Sequence, residues 1–395
     1  MQSQQSKLTL IVISQFFCTS LWFSGNAVAP YLSHTHQAIF VAQFTSAVQL
    51  GFICGTLLFA VLALVDRFSP SKIFFVSAIV AACFNGGLAL PHASTNTLLL
   101  LRFFTGFFLA GIYPVGMKIA SDYFQHGLGK SLGFLVGALV LGTALPHLVK
   151  TSLVDVDWQV VVIATSFLAL LRGLLVFWLV PDGPFRKMGA GFSLSHLRQA
   201  FQGKALRQSA AGYFGHMWEL YTFWALVPIL LADYNMLRQK QLDVSLWSFV
   251  IIAIGSVACA AGGLLSQRLG EKRVATWALS ISCACCLVSP IFLNSTSTIF
   301  ILSFLCVWGV AVIADSPLFS AMVAQAAAAE WRGTSLTIVT CIGFAVTILS
   351  LQTFRWLAQM LPFPLYLIFL AIGPLFGLAA LISPSNKKSH PRSLQ

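Results

Sequence analysis

Long apolar runs separated by short polar breaks dominate the sequence. A helix needs about 20 mostly apolar residues to cross a bilayer, and runs of that length recur along the whole chain. We predict twelve such spans, at residues 8–32, 38–64, 72–90, 97–121, 130–150, 157–180, 206–232, 244–267, 273–293, 297–324, 333–358 and 363–382. The pattern therefore predicts an all-α integral membrane protein of twelve transmembrane helices.

The longest polar link between these runs lies near the middle of the chain, at 181–205. It is rich in proline, glycine and basic residues, which are typical of a connection between folded units. The link divides the twelve spans into two sets of six. We therefore predict an N-terminal six-helix bundle at 1–180, a linker at 181–205 and a C-terminal six-helix bundle at 206–395.

The composition supports residence in a membrane. Hydrophobic residues make up 58% of the chain and charged residues 9%, whereas roughly a quarter of the residues in ordinary soluble domains are charged. A soluble chain could not hide so much apolar surface from water, but a bilayer removes that requirement. The formal net charge of +12 is spread over short loops and forms no basic domain, which argues against a nucleic-acid partner.

The basic residues also predict the orientation of the chain. If the N-terminus is inside, most of the 23 Lys and Arg residues lie in inner segments. The exceptions are three residues in outer loops and three within spans, namely Lys150, Arg238, Lys240, Arg102, Arg172 and Arg355. Because cytoplasmic loops carry the excess of Lys and Arg, both termini and the linker are predicted to be cytoplasmic, in the inner (plasma) membrane.

The two predicted halves repeat each other at an offset near 200 residues. Residues 64–69 read L-V-D-R-F-S after the second span, and residues 265–270 read L-S-Q-R-L-G after the eighth. Pro114 and Pro317 occupy similar places in the fourth and tenth spans. Several matches in the same order, at a nearly constant offset, indicate a duplication of a six-helix unit.

Both of these loops resemble a motif of the major facilitator superfamily, G-x-L-x-D-R-x-G-R-[RK]. The copies keep Leu64, Asp66, Arg67, Gly263, Leu265, Arg268, Gly270 and Lys272. With the repeat and the helix count, the chain resembles that superfamily over essentially its whole length. The resemblance implies a gating loop at Asp66, Arg67, Gly263, Arg268 and Gly270, in which a charge pair latches two helices. The alternative is that the arginines only anchor the loops at the inner surface.

The fourth and fifth spans carry two further partial motifs. Arg102 and Gly106 resemble the family's R-x-x-x-G signature, and because a lipid-exposed arginine is costly at depth, we expect Arg102 to face a wet cavity or a partner. Gly133 and Gly142 have the spacing of a glycine-rich motif associated with antiporters. The Gly-Pro pair that ends that motif is absent, because residues 144–146 read A-L-P. Close packing of helices through small residues is the alternative.

Transporters of this kind bind substrate near the midplane, between their two repeats. The resemblance implies that the first, fourth, seventh and tenth spans line the cavity, with the second, fifth, eighth and eleventh beside them. Polar and aromatic residues within those spans are therefore the candidates for substrate binding, namely Trp22, Asn26, Arg102, Tyr213, Gln352 and Arg355. For the aromatic residues, packing in the core or against lipid is the competing explanation.

The seventh span carries the strongest candidate for proton coupling. Tyr213, His216 and Glu219 are spaced by three, so they share one face of a helix. Glu219 falls close to mid-membrane, where a carboxylate is costly unless it is paired, wet or protonated. We expect Glu219 to carry the proton and His216 to tune it, with Asp315 in the tenth span as the second acid. A buried pair of Glu219 and His216 that only joins helices is the structural alternative.

These features predict a secondary active transporter for a small solute, working by alternating access. Two cations in the cavity favour an organic anion, such as a carboxylate metabolite or siderophore, and the acids favour proton coupling. Efflux of drugs or metabolites by proton antiport is one alternative. A polytopic membrane enzyme or a non-transporting sensor is another, although the sequence shows no phosphate loop or hydrolase motif. We expect a monomer with no cofactor or metal, and we have no role for Arg172.

Overall fold

The computed structural model describes residues 2–32, 37–123, 128–152, 157–186, 201, 203–328 and 331–383. Every regular element within these ranges is helical. Twelve helices are long and apolar enough to cross a membrane, which confirms the predicted fold class and the number of spans. The predicted linker falls largely on 187–200, outside the described residues, so the three domain boundaries stay predictions.

The first six spans, named α1 to α6, occupy the N-terminal half. α1 has three pieces, Gln2–Thr19, a 3-10 turn at Ser20–Trp22 and Ser24–Leu32, and α4 has two, Thr95–Leu109 and Tyr113–Tyr123. The others are α2 at Gln37–Val61, α3 at Pro70–Gly86, α5 at Leu128–Ser152 and α6 at Gln159–Leu179. A short helix at Leu64–Arg67 lies between α2 and α3.

The C-terminal half contains α7 to α12. Their bounds are Lys204–Arg238 for α7, Val244–Leu269 for α8, Glu271–Leu293 for α9 and Arg332–Met360 for α11. α10 is divided into Thr298–Ala314 and Ser316–Ala326, and α12 begins with a 3-10 segment, Leu365–Ala371, before Ile372–Ile382. The break in α10 falls at Asp315, just before Pro317, whose missing N–H is tolerated in the first turn of a new helix.

The two ends of the bundle can be told apart by their contacts. One end holds the first and the last of the described residues, Gln2 and Ser383, together with the beginning of the predicted linker, and we call it the linker side. There Lys7 Nζ donates to Leu179 O at 2.5 Å, and Gln208 Nε2 donates to Ser383 O at 2.8 Å. The opposite end, the far side, joins the last residues of odd-numbered spans to the first residues of even-numbered ones.

The halves meet through α5 against α8 and through α2 against α11. A Cβ atom added to Gly137 would lie 3.2 Å from Ser256 O. Gly142 instead faces α1, where an added Cβ would collide with Phe16 O. Gly137 and Gly142 therefore provide close helix packing in this conformation, whereas Gly133 makes only an ordinary contact with Cys259 O at 3.7 Å.

One polar contact between the halves lies on the far side. Thr151 of α5 donates a hydrogen bond to Asp243, which caps the N-terminus of α8 by accepting from Leu246 N at 2.9 Å. At the linker side, a Cβ added to Gly263 of α8 or Gly333 of α11 would meet nothing within 4 Å. The structure therefore shows a polar contact between the halves on the far side and open space at the two linker-side glycines.

Candidate functional site between the two halves

Aromatic side chains from both halves fill the centre of the bundle. The Trp22 ring of α1 stacks on Tyr221 of α7 and Phe344 of α11, with ring centroids 5.7 and 5.4 Å apart, and lies 4.8 Å from Phe52 of α2. Trp22 is fully buried, and its indole N–H has no hydrogen-bond partner among the described residues. The structure thus places Trp22, one of the predicted substrate residues, on the interface between the halves.

A break in α1 positions Trp22, and Arg102 stabilises that break. A helix that is interrupted leaves backbone carbonyls without their usual N–H partners. Arg102 Nη1 donates to Leu21 O at 2.9 Å, and its Nη2 donates to Trp22 O. The guanidinium of α4 therefore replaces the missing backbone donors of α1, which explains how a charged side chain is tolerated at this depth.

Asn85 of α3, which sequence analysis missed, completes this polar cluster. Its Oδ1 accepts from Ser24 and from Arg102 Nη1 at 3.4 Å, and its Nδ2 donates to Ser166 of α6 at 2.9 Å. The side chain of Arg102 is fully buried, with its guanidinium carbon 5.5 Å from the Phe44 ring centre. Contact between Arg102 and a substrate stays a prediction, because in this conformation its hydrogen bonds are to the protein.

Two other predicted substrate residues join helices. Asn26 Nδ2 donates to Thr45 Oγ1 at 2.7 Å, which links α1 to α2 within the N-terminal half. Gln352 Nε2 donates to Ser46 Oγ at 2.8 Å, which links α11 to α2 across the two halves. Because Thr45 and Ser46 are consecutive, a single turn of α2 accepts the hydrogen bonds of both amides.

The structure separates Arg355 from Arg102, although sequence analysis had expected both in one cavity. Arg355 is partly exposed and lines a small cavity of about 20 Å³ between α2, α7, α11 and α12, together with Val41, Thr222 and Tyr366. Arg102 contacts α1 and α3 instead. Neither arginine has a carboxylate of the described residues within ion-pair distance.

His216 of α7 lies beside Asp315 and not beside Glu219, so this conformation does not contain the Glu219–His216 pair that was the structural alternative. The role of His216 in proton coupling stays a prediction. His216 Nδ1 lies 2.8 Å from Asp315 Oδ1, and both side chains are 1% exposed. His216 Nε2 and both carboxylate oxygens of Asp315 have no hydrogen bond of acceptable geometry within the described part of the chain. Asp315 occupies the break in α10, so the pair connects α7 to the point where α10 changes direction.

Glu219 points away from His216, into the interior of the C-terminal half. Its Oε1 accepts from Ser282 Oγ at 2.5 Å, from Trp308 Nε1 at 2.6 Å and from Cys286 Sγ at 3.2 Å. Its Oε2 has no partner among the described residues. Sequence analysis missed Ser282 and Trp308 as its partners, since a residue's spacing on its own helix says nothing about which neighbouring helices it faces.

Two buried amides add neutral polar groups to the N-terminal half. Gln15 of α1 and Gln49 of α2 are fully buried, and neither the oxygen nor the nitrogen of either amide has a partner in the residues that the structure describes. Buried polar groups are normally satisfied, so such groups in a transporter-like interior are candidates for binding water or a solute. Sequence analysis selected neither amide as a candidate site residue.

Tyr213 and Arg172 also receive structural positions. The Tyr213 ring lies 6.2 Å from His216 and packs on Gly343 of α11, and its side chain is 7% exposed. The guanidinium carbon of Arg172 lies 4.9 Å from the centre of the Phe17 ring, so this arginine of α6 packs on α1. The sequence offered no account of Arg172, and a cation–π contact between helices now supplies one.

The loop after α2 is held by a residue that sequence analysis did not select. Arg186 forms an ion pair with Asp182 at 2.6 Å and donates to the backbone oxygens of Asp66 and Phe68 at 3.2 and 2.8 Å. Arg67 itself is exposed. The loop after α2 therefore contacts the segment that follows α6. The role of this loop in gating stays a prediction.

The second copy of the loop motif is more open. Gly270 has a φ of +85°, a conformation that side chains with a Cβ adopt only with strain, which accounts for glycine at this position of the motif. Gly263 has open space around it, and Arg268 is exposed.

Two comparisons with known proteins, one of sequence and one of structure, gave matches. The family model of the Major Facilitator Superfamily matches residues 11–351. The chain belongs to the major facilitator superfamily. No curated protein matches it. Among solved structures it is similar to the MFS proton:xylose symporter XylE bound to 6-bromo-6-deoxy-D-glucose, with a TM-score of 0.72, 14% identity and coverage of 96% of this chain and 95% of that one.

Membership of the superfamily indicates a multi-pass membrane transporter for a small molecule and not an enzyme. The likeness to the xylose symporter extends over both halves, which confirms the fold that the repeat predicted. At 14% identity it shows the fold alone. The residues of this facilitator's own interior are therefore the basis for any statement about its solute.

Proposed function

We propose that this facilitator couples the movement of protons to the transport of a small organic anion, such as a carboxylate metabolite or siderophore. The observation that supports the proposal most directly is the separation of charge between the halves. Arg102 and Arg172 lie within spans of the N-terminal half, whereas the C-terminal half carries Glu219 and Asp315 together with one arginine, Arg355, toward the far-side end of α11.

The N-terminal half supplies the attraction for an anion. Arg102 is buried among backbone carbonyls and amides, which bind its protons but do not cancel its charge. A positive charge in a medium of low dielectric constant acts over a longer distance than it does in water. The free amides of Gln15 and Gln49 add neutral groups able to hydrogen-bond a carboxylate or hydroxyl.

The C-terminal half supplies two acids for protons. Asp315 has the imidazole of His216 beside it, and the two groups can share one proton. Glu219 has three donors on Oε1, which leaves Oε2 as the oxygen that would hold a proton. Protonation of either acid removes negative charge from the interior while an anion is bound, so the two events favour each other electrostatically.

The excess of basic residues on the linker side supports a cytoplasmic location for both termini, in the plasma membrane. In this orientation Arg355 lies near the outer end of α11, where a solute entering from outside would meet it. Reporter fusions at Ser193 and at Asn96 test the orientation. The first should read cytoplasmic and the second external, and the reverse result would contradict the assignment.

Uptake by purified protein in lipid vesicles tests the proposed function. The vesicles carry an imposed pH gradient, and the solutes are a panel of mono-, di- and tricarboxylates, neutral sugars and lipophilic cations. We expect carboxylate accumulation that a protonophore abolishes. Accumulation of sugars alone, or accumulation insensitive to the protonophore, would contradict the proposal. Exchange of lipophilic cations for protons would favour drug efflux by antiport instead.

A further inference from the structure

An apolar groove runs along the lipid-facing surface of the C-terminal half, between α8, α9 and α10. Its volume is about 470 Å³, and its walls include Ala258, Ala261, Leu265, Trp277, Ile281 and Val307. The groove exists because α8 and α10 carry small residues there, such as Gly262 and Ala311, where large side chains usually cover a helix surface. Gly262 lets α8 approach the backbone of α10, where an added Cβ would lie 2.8 Å from Ala314 O.

The groove faces the bilayer. Trp277, Ile281 and Val307 on its rim are half-exposed, at 50%, 51% and 53%. It lies within three membrane spans, so the medium around it is lipid. Its lining residues run from Ile254 to Leu265 along α8, which corresponds to about 16 Å at the rise of an α-helix. A hydrocarbon chain that crosses most of one leaflet has a matching length and chemistry.

Basic residues surround the linker-side mouth of the groove. Arg268 follows Leu265 by three positions on α8, and Arg273 precedes Trp277 by four on α9, so each lies about one turn beyond a lining residue. Both arginines and Lys272 are exposed and have no ion pair with any described residue. The nearby acid, Glu271, accepts a hydrogen bond from Gln325 Nε2 at 2.9 Å.

A second hollow continues from this mouth toward the linker side. It has a volume of about 710 Å³, and its polar lining consists of the bases Lys272 and Arg273, the acid Glu271, which Gln325 hydrogen-bonds, and Thr276. Trp277 lines both the hollow and the groove, as expected for an aromatic residue at the boundary between hydrocarbon and headgroups. An apolar channel that ends in a basic hollow is complementary to a molecule with a hydrocarbon tail and a negatively charged head.

We infer that this surface is a binding site for one anionic phospholipid. An acyl chain lies in the groove between α8, α9 and α10, and the phosphate contacts Arg268 and Arg273, with Lys272 beside them. Clusters of basic residues at the ends of membrane helices recognise anionic headgroups in this way. The inference concerns lipid binding alone and does not depend on the identity of the transported solute.

Native mass spectrometry of the purified protein in mild detergent tests the site. The protein is titrated with phosphatidylglycerol and, separately, with phosphatidylcholine of the same acyl chains. We expect one phosphatidylglycerol to bind in preference to phosphatidylcholine. Replacing both arginines, Arg268→Gln with Arg273→Gln, should weaken phosphatidylglycerol binding by about fivefold for each charge removed. Ala261→Phe, which fills the groove, should weaken binding of either lipid.

The matched control is Arg67→Gln with Lys72→Gln, which removes the same charge from the corresponding loop of the N-terminal half. It should leave the lipid titration unchanged, and the melting temperature of each variant in detergent verifies folding. Equal binding of the two lipids by the unaltered protein would overturn the inference. So would equal losses in the arginine pair and its control, or an unchanged titration of the folded Ala261→Phe variant.

Discussion

The imidazole of His216 lies 2.8 Å from the carboxylate of Asp315, at the residue where α10 breaks. The pair joins the continuous helix α7 to a discontinuous one inside a fully buried environment. A change in its protonation would alter the force between the two helices, because a buried pair is attractive mainly when it carries opposite charges. This relationship makes Asp315 the first acid to examine for proton coupling.

Asp315→Asn keeps the shape of the side chain but cannot bind and release a proton near neutral pH. We expect it to abolish gradient-driven accumulation of the transported solute while retaining exchange of solute at equal pH. Uptake under an imposed pH gradient and counterflow without one measure the two activities. Asp233→Asn on the far-side end of α7 is the control and should retain both. Undiminished accumulation by the Asp315 variant would remove this residue from the coupling site.

Glu219 has a structural role that can be separated from proton coupling. Glu219→Ala leaves the Trp308 N–H and the Ser282 hydroxyl without their acceptor, so we expect stability to fall by about 2–3 kcal/mol. Glu219→Gln retains an oxygen acceptor and should lose less stability, yet it should abolish gradient-driven accumulation. Melting temperatures in detergent and vesicle uptake distinguish the two effects. Glu271→Ala, at the first residue of α9, is the control. An equal loss of stability in that variant would contradict the structural role of Glu219.

Arg102 and Arg355 should respond differently to the same substitution. Arg102→Gln removes charged donors from the carbonyls at the break in α1, so we expect a stability loss of about 2–3 kcal/mol. Arg355 is partly exposed and unpaired within the described residues. Arg355→Gln should therefore leave the melting temperature unchanged and weaken solute affinity. If Arg102→Gln melts like the unaltered protein, then its bonds to α1 are not stabilising.

The far-side contact between Thr151 and Asp243 should be insensitive to pH over the physiological range. Partial burial alone would raise the pKa of Asp243, but hydrogen bonds from Thr151, Leu246 N and Ser245 N outweigh it, and the pKa is lower than usual. A lowered pKa means that the ionised contact persists above the ordinary value of about 4 and weakens only as pH falls below it.

Spin labels at the far-side ends of α5 and α8 measure this contact, in a background without the native cysteines. We expect one short distance from pH 8 to pH 5 and a broader distribution near pH 3. Asp243→Asn should broaden the distribution at every pH, whereas Asp233→Asn should not. A distribution that broadens between pH 7 and pH 5 in the unaltered protein would contradict the lowered pKa.

The sequence by itself determined the twelve spans, and its loop motifs and repeat indicated the superfamily. These properties follow from local composition, because each span must be apolar over about 20 residues whatever its neighbours are. Gly270 shows the same local control, since its positive φ belongs to the loop and not to its contacts. The duplication was also visible, because both copies kept the same order of loops and prolines.

Only the tertiary structure decided which polar groups meet. His216 and Glu219 share a face of α7 in sequence, yet they meet different partners. His216 lies beside Asp315 at the break in α10, whereas Glu219 accepts from Ser282 of α9 and Trp308 of α10. The partners of Arg102 could not be identified from the sequence, because they are backbone carbonyls at the break in α1. A sequence does not show a helix break that a side chain from another helix stabilises. Helical periodicity fixes the direction of a side chain about its own axis, but the packing of neighbouring helices fixes what stands in that direction.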